Sequence, residues 1–391
     1  MHNASPLFNG NTDYAEMTNE EGTPLISQTT DNSKWQAAAN AAKDFIDEYV
    51  PGTFSLYREN DNTGSYSPYL STRNVMLEDW NEEIIYARTR GDNYYHYDVT
   101  PLHSNVSDNA VKGAGGLSVT QEMVDAYFMA NGKTIDDPTS GYVEDGFSQF
   151  QAPFDFTQRS TYNQWVNREP RFYADLGFDG SMWYKRDALG DETKWHIEGK
   201  FGQYSGSDHP FFFNETGYYC KKLVNWRMTF SNDGGTFENY AWPEMRLADL
   251  YLLYAEALNE IQGPTAEVYS YLDQIRERAG LDGVVESWAA HSNNPSKPLS
   301  KEGLRSIIQQ ERMIELAFEG QRYWDLLRWK RAVQEFNDNV QGWNIKGDDE
   351  ASYYQIRTIH IQNFISPRDY FWPLSETSLI RNTNLVQNPG W

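Results

Sequence analysis

The 391-residue chain holds a single cysteine, Cys220, which excludes an internal disulfide and any thiolate metal cluster. No stretch approaches the roughly 20 apolar residues that a membrane-spanning helix needs. Positive charge is scarce: 33 Lys and Arg face 56 Asp and Glu, for a net charge of −23. Such a surface repels phosphate backbones and anionic lipid, so nucleic acid is excluded as a partner. The seven His are scattered, with no pair at metal-ligand spacing on a helix. A G-x-S-x-G nucleophile motif is absent. "NGKT" at 131–134 ends like a phosphate loop, but Tyr127 stands where the first glycine is required. "KGAGG" at 112–116 is a lone glycine run, expected to be a turn. The start, "MHNASPLFNGN", lacks the basic end and apolar core of a secretory signal. It has the character of a loop inside a domain, so the chain is expected to begin partway through a longer parent sequence.

Aromatic residues are abundant instead. They make up 15% of the chain, with 13 Trp, 26 Tyr and 20 Phe, at a mean hydropathy of −0.73. The length suits one large helical domain with insertions, or helical repeats. Residues 31–132 hold early helices and loops. "DNSKWQAAANAAKDFIDEY" has helical spacing, with Asp31 or Ser33 as cap and Pro51 and Gly52 as stop. "NEEIIYAR" predicts a short strand feeding a loop over 89–105. "VTQEMVDAYFMANG" predicts a helix from Thr120 to Gly132. Across 133–243 the helical period disappears, and short strands joined by Gly and Asp turns are expected. Over 244–337 two helical hairpins are predicted. In the first, Leu247, Leu250, Tyr254, Ala257, Leu258 and Ile261 form one stripe, and Val268, Leu272, Ile275 and Ala279 another; Pro264 starts the second helix. In the second, Ser300 opens one helix and 321–336 returns, after a polar loop around 287–298. The C-terminal segment, 338–391, is irregular, apart from the strand-like "YYQIRTIHI".

The run "ERMIELAFEGQRYWDLLRWKRA", 311–332, poses the sharpest choice. Its acids look catalytic. On one helix, however, Glu319, Arg322, Asp325 and Arg328 recur every three residues, a ladder of alternating sign, and Arg312 and Glu315 pair one turn earlier. Carboxylates flanked by arginines have lowered pKa values, whereas a general acid needs a raised one. The cluster is therefore read as structural. Trp324 and Trp329, on the same helix, are expected in the core.

Several stretches together resemble the SusD/RagB family, outer-membrane nutrient-binding lipoproteins of Bacteroidetes: "RLADLYLLYAEALNE", "YLDQIRERAGL", "LRSIIQQERMIELAFEGQRYWDLLRW" and the terminal "NLVQNPGW". "SPLFNGN", "VDAYFMANG" and "EPRFYADLGFDG" fit the same family. The resemblance runs over nearly the whole chain, 1–391, as one SusD-like domain. It implies a mainly α fold: a tetratricopeptide-like α-α superhelical scaffold carrying a loop-rich subdomain with short strands. It implies binding of oligo- or polysaccharide at the outer face of the cell, partnership with a SusC-like TonB-dependent transporter, a lipid anchor in the full-length parent, and no catalysis. The family's lipoprotein signal, lipidated cysteine and N-terminal part are not found in this sequence.

Sugar rings have apolar C–H faces and polar edges, which a Trp or Tyr ring with an amide or guanidinium at its rim can match. Candidates should lie on loops. Tyr94, Tyr95 and Tyr97, Trp165, Trp183 and Tyr184, and Trp195 meet that condition, with Asn93 and Arg186 as polar partners. The competing role for each ring is packing within its loop. No cofactor is expected; the acidic loops permit calcium without demanding it. Two rival readings remain at this stage: a glycoside hydrolase, since acids are abundant, and a helical-repeat scaffold for protein partners.

Overall fold

The computed structural model describes the chain except for residues 20, 90–92, 103–112, 156, 184–195, 226 and 228–239 and the side chains of 93–95. In chain order the helices are α1 (Ser33–Tyr49), α2 (Pro68–Asn74), α3 (Asn93–Val99), α4 (Gln121–Ala126), α5 (Pro170–Asp175), α6 (Leu247–Gln262) and α7 (Ala266–Arg278). Then come α8 (Val284–Ala289), α9 (Lys301–Glu315), α10 (Gln321–Arg328), α11 (Ala332–Glu335), α12 (Glu350–Tyr353) and α13 (Glu376–Arg381). The strands form four antiparallel pairs. These are β1 (Ile84–Arg88) with β6 (Trp242–Arg246), β2 (Phe147–Phe150) with β3 (Arg159–Tyr162), β4 (Leu176–Gly177) with β5 (Tyr219–Cys220), and β7 (Val340–Trp343) with β8 (Ile356–His360).

The helical frame follows its apolar period. α6 packs against α1, α7 and α9, and the shared core joins Trp35, Ile46, Leu272, Ile275, Ile307 and Ile308. Gly263 closes α6 at φ +73, a conformation that glycine adopts without a side-chain penalty. Thr265 caps α7 by accepting the N–H of Val268, so Pro264 precedes the cap instead of starting the helix. Ser300 caps α9 through Gly303. Ile261, expected on the inner stripe, is 37% exposed.

Five further sequence expectations need correction. The predicted helix over 321–336 is two pieces, because Lys330 takes a positive φ of 57 between α10 and α11. The predicted helix from Thr120 stops at Ala126. The Arg168 guanidinium donates to the carbonyls of Val124 and Tyr127, and the chain turns to bury Tyr127 and Phe128. The loop at 89–105 contains α3, and the strand-like "EPRFYADLGFDG" contains α5, with Pro170 in its first turn. The polar loop around 287–298 likewise begins within α8.

A second core fills the loop-rich part. It is largely aromatic: Trp165, Phe172, Phe178, Tyr218, Trp343 and Tyr353 are all fully or nearly fully buried. Short strands and irregular backbone bring few aliphatic stripes together, so large rings fill the volume. Cys220 lies in this core, and burial pushes its thiol far above the ordinary range. The native protein should therefore resist a thiol reagent such as dithionitrobenzoate and release one equivalent of chromophore only after urea unfolding. Rapid labelling of the folded protein would contradict this placement.

Candidate functional site

Two of the three tryptophans proposed as loop platforms are interior. Trp165 has 0% exposure and packs among Tyr162, Phe178, Tyr218 and Trp343. Trp183 has 1% exposure and meets the edge of Tyr219. They are core rings because the segment that carries them builds its interior from aromatics. The side chains of Asn93, Tyr94 and Tyr95, and the whole of Tyr184, Arg186 and Trp195, lie outside the described residues. Tyr97 is the candidate whose ring reaches the surface, half-buried on α3. On the helical frame, Trp329 is buried as expected, with its indole N–H given to Glu256, while Trp324 is 52% exposed. Trp324 meets Tyr323 edge to face at 5.1 Å, with the rest of its ring at the surface.

Around Tyr97 the structure assembles a surface group of rings. Phe212 meets Tyr97 edge to face at 6.4 Å. His209 stacks on Phe212 at 4.9 Å and 19°. Phe211 and Phe212 are exposed, Phe211 by 82%. The loop is held from within. His209 Nδ1 accepts the backbone N–H groups of Phe211 and Phe212 at 3.2 and 2.9 Å, which places the ring proton of neutral His209 on Nε2. Ser207 donates to the Ile345 carbonyl, and Lys346 donates to the Ser207 carbonyl while lying over Phe201 and Phe213. Asn214 closes the far end by accepting from Thr216 and Gly217 and donating to the Tyr218 carbonyl. The sequence "HPFFF" at 209–213 carried a signal for this site: three apolar rings after a proline, with no strand period.

The glycine run lies beneath the group and is not a free turn. The N–H of Ala114 bonds the Tyr97 carbonyl, and that of Gly116 bonds the Asp98 carbonyl. A Cβ on Gly113 would stand 2.1 Å from the Thr100 carbonyl oxygen. Gly113→Ala should therefore lower stability by about 1–3 kcal/mol, the usual cost of overpacking. Thermal denaturation measures it; an unchanged melting temperature would contradict the packing described. The result is a fixed surface of ring faces, an imidazole edge and the exposed Asp98 and Asp208. It can lie against a flat apolar face and accept hydroxyl hydrogens at the margin. Among the described residues, no group of three or more His, Cys, Asp or Glu is placed to hold a metal ion.

Residues 82–391 match the SusD family. The chain belongs to the SusD family. Among curated proteins, it is 39% identical over 148 residues to SusD-like protein P2 of Formosa agariphila, covering 38% of this chain and 25% of that protein. It is 42% identical over 135 residues to SusD-like protein P25 of the same organism, covering 32% of this chain and 24% of that protein. The chain thus spans about a quarter of the length of those relatives in the matched regions. Among solved structures, BT4246 superposes with a TM-score of 0.80 at 24% identity, covering 100% of this chain and 69% of that one. A SusD-like protein from Bacteroides fragilis, BF3747, gives a TM-score of 0.67 at 23% identity, covering 92% and 62%. These likenesses establish the tetratricopeptide-like helical fold.

In this SusD-family chain the run 311–332 forms a buried ionic network, with partners other than the ladder predicts. Glu315 receives Arg246 at 2.7 Å, Arg171 at 3.2 Å and also Arg278. Glu319 takes Arg246 and Lys222, both at 2.8 Å. Arg312 bridges Asp249 and Asp325 instead of pairing with Glu315. Arg322 pairs with Glu335 at 2.9 Å and Glu122 at 3.5 Å. Only Asp325 and Arg328 keep the expected spacing of three, at 2.8 Å, and Arg328 also holds Glu256. Burial alone would raise these carboxyls, but the guanidinium groups outweigh it: Glu315, Glu319 and Asp325 all lie below their ordinary values. Such acids cannot deliver a proton near neutral pH.

Proposed function

We propose that the protein captures oligo- or polysaccharide without cleaving it, through the surface around Tyr97, His209, Phe211 and Phe212. The observation that carries this reading is the exposed ring group itself, fixed by its own loop hydrogen bonds on a rigid frame. Family membership supports it. So does a neighbour of the same fold from Bacteroides fragilis, BF0978, described as a SusD-like carbohydrate binding protein; it has a TM-score of 0.59 at 20% identity. Each ring platform contributes about 1 kcal/mol, by analogy with aromatic pairing at about 0.5–1.5 kcal/mol. A few platforms give dissociation constants on the order of micromolar to millimolar, weak enough for a carrier that must release its cargo. The cargo then passes to a SusC-like TonB-dependent transporter at the outer membrane, where a lipid anchor holds the protein on the extracellular face.

Calorimetry of the purified chain against soluble starch, xylan, galactomannan and laminarin oligosaccharides tests the reading, with chromatography of the same mixtures after incubation. The expected result is saturable binding, unchanged by EDTA, with every oligosaccharide recovered intact. Shortened products would select the glycoside-hydrolase alternative.

A further inference from the structure

A second feature lies on the helical frame, apart from the loop rings. Two adjoining cavities, of about 460 and 720 Å³, run between α4, α9, α10 and α11 and share Glu122, Asp125, Met313, Arg322 and Glu335 as walls. Arg322 spans that shared wall between Glu122 and Glu335. Arg331 also holds Glu335 and donates to Gln309 Oε1 at 2.6 Å. At the inner end, Trp288 and His291 stack at 4.1 Å. Both rings are more than nine-tenths buried, both line the cavity, and Trp288 Nε1 and His291 Nε2 have no hydrogen-bond partner. A buried polar atom without a partner is costly in a folded protein and marks a place where a ligand group or water is wanted.

At the outer end the trough meets rings. Phe336, part of the second cavity, stacks on Tyr323 at 5.8 Å. The Tyr323 hydroxyl accepts the Trp372 indole N–H at 2.8 Å, and Trp324 stands against Tyr323 at 5.1 Å. Trp324 is 52% and Trp372 68% exposed. Trp372 thus has its polar atom engaged inward and its ring face free. The trough walls carry six carboxylates against three cations (Lys297, Arg322 and Arg331), together with the amides of Gln310, Asn339 and Gln362, so an anion is disfavoured. Groups of that mixture suit hydroxyls, which both donate and accept, and the indoles suit C–H faces.

We infer that this trough and the Tyr323–Trp324–Trp372 platform at its mouth form a second binding site for neutral saccharide. The inference rests on the saccharide reading, but not on the loop surface. A chain with two separate sites holds a polysaccharide by two attachments, which raises its hold on long polymers relative to short ones.

Calorimetric stoichiometry with the same four oligosaccharide sets decides it, using the double variants Trp324→Ala/Trp372→Ala and Tyr97→Ala/Phe212→Ala. All four positions reach the surface, and circular dichroism confirms that each variant is folded. The expected result is two saccharides per chain, falling to one in either double variant. Binding that is untouched by Trp324→Ala/Trp372→Ala and lost in Tyr97→Ala/Phe212→Ala overturns this inference and keeps the loop site. The reverse pattern keeps this inference and overturns the loop site. No binding of any set overturns both. A protein partner that the platform variant releases, with saccharide stoichiometry unchanged, makes this face a protein contact and overturns the inference as well.

Discussion

Glu315→Gln is expected to destabilise the protein by about 3–5 kcal/mol, the cost of removing one partner from a buried ion pair. Glu315 has 2% side-chain exposure and stands among three guanidinium groups, those of Arg171, Arg246 and Arg278. Their other acceptors are Glu83, Glu169, Glu311 and Glu319. With Lys222 and Arg276 included, the cluster holds five cations (Arg171, Lys222, Arg246, Arg276, Arg278) and five carboxylates (Glu83, Glu169, Glu311, Glu315, Glu319). An amide at 315 keeps the shape and leaves one buried positive charge without its counter-charge. Urea unfolding at neutral pH measures the loss. Arg278→Met added to Glu315→Gln restores the balance and should recover part of it.

The pH dependence of this effect has a definite sign. The folded Glu315 carboxyl lies below its unfolded value, with burial opposing and the arginines prevailing. Its contribution is therefore full above an unfolded pKa of about 4.3 and declines as pH falls from there toward the folded value. The gap between the parent protein and Glu315→Gln should narrow at pH 3 relative to pH 7. A loss below about 1 kcal/mol at neutral pH, the range of surface pairs, would mean that the network does not hold the frame together.

The sequence made the frame legible where a 3.6-residue period coincided with a capping residue, as at Ser300, although at α7 it pointed to Pro264 where Thr265 is the cap. It did not reveal the partners of the charged run. Spacing along one helix identifies neighbours three or four positions away, whereas Glu315 and Glu319 find theirs at Arg171, Lys222, Arg246 and Arg278, brought close only by folding. The loop-rich part was less legible for a different reason. Trp165 and Trp183 sit in segments without a period, and nothing local marks them as rings that fill the core. Trp324 shows the same limit on a helix: its position in α10 does not reveal that its ring is left 52% exposed.

Tyr97→Ala/Phe212→Ala should weaken the loop site by at least about tenfold, since two platforms of about 1 kcal/mol each are lost and 1.4 kcal/mol is a factor of ten. The fold should survive, because both rings lie at the surface and neither belongs to the aromatic core. His209→Ala should weaken it in the same direction. It removes the ring stacked on Phe212 and the acceptor that fixes the backbone at Phe211 and Phe212. Trp165→Ala, by contrast, should destabilise the protein by about 3–5 kcal/mol, through a cavity in the core and not through any contact with sugar.

The most direct test is calorimetry of the parent chain and Tyr97→Ala/Phe212→Ala against the same oligosaccharide, with the mixture analysed for products afterwards. The account predicts saturable binding by the parent, loss of one site in the variant, and an unbroken sugar in both. Equal affinity and stoichiometry in the two proteins, or a cleaved oligosaccharide, would contradict it.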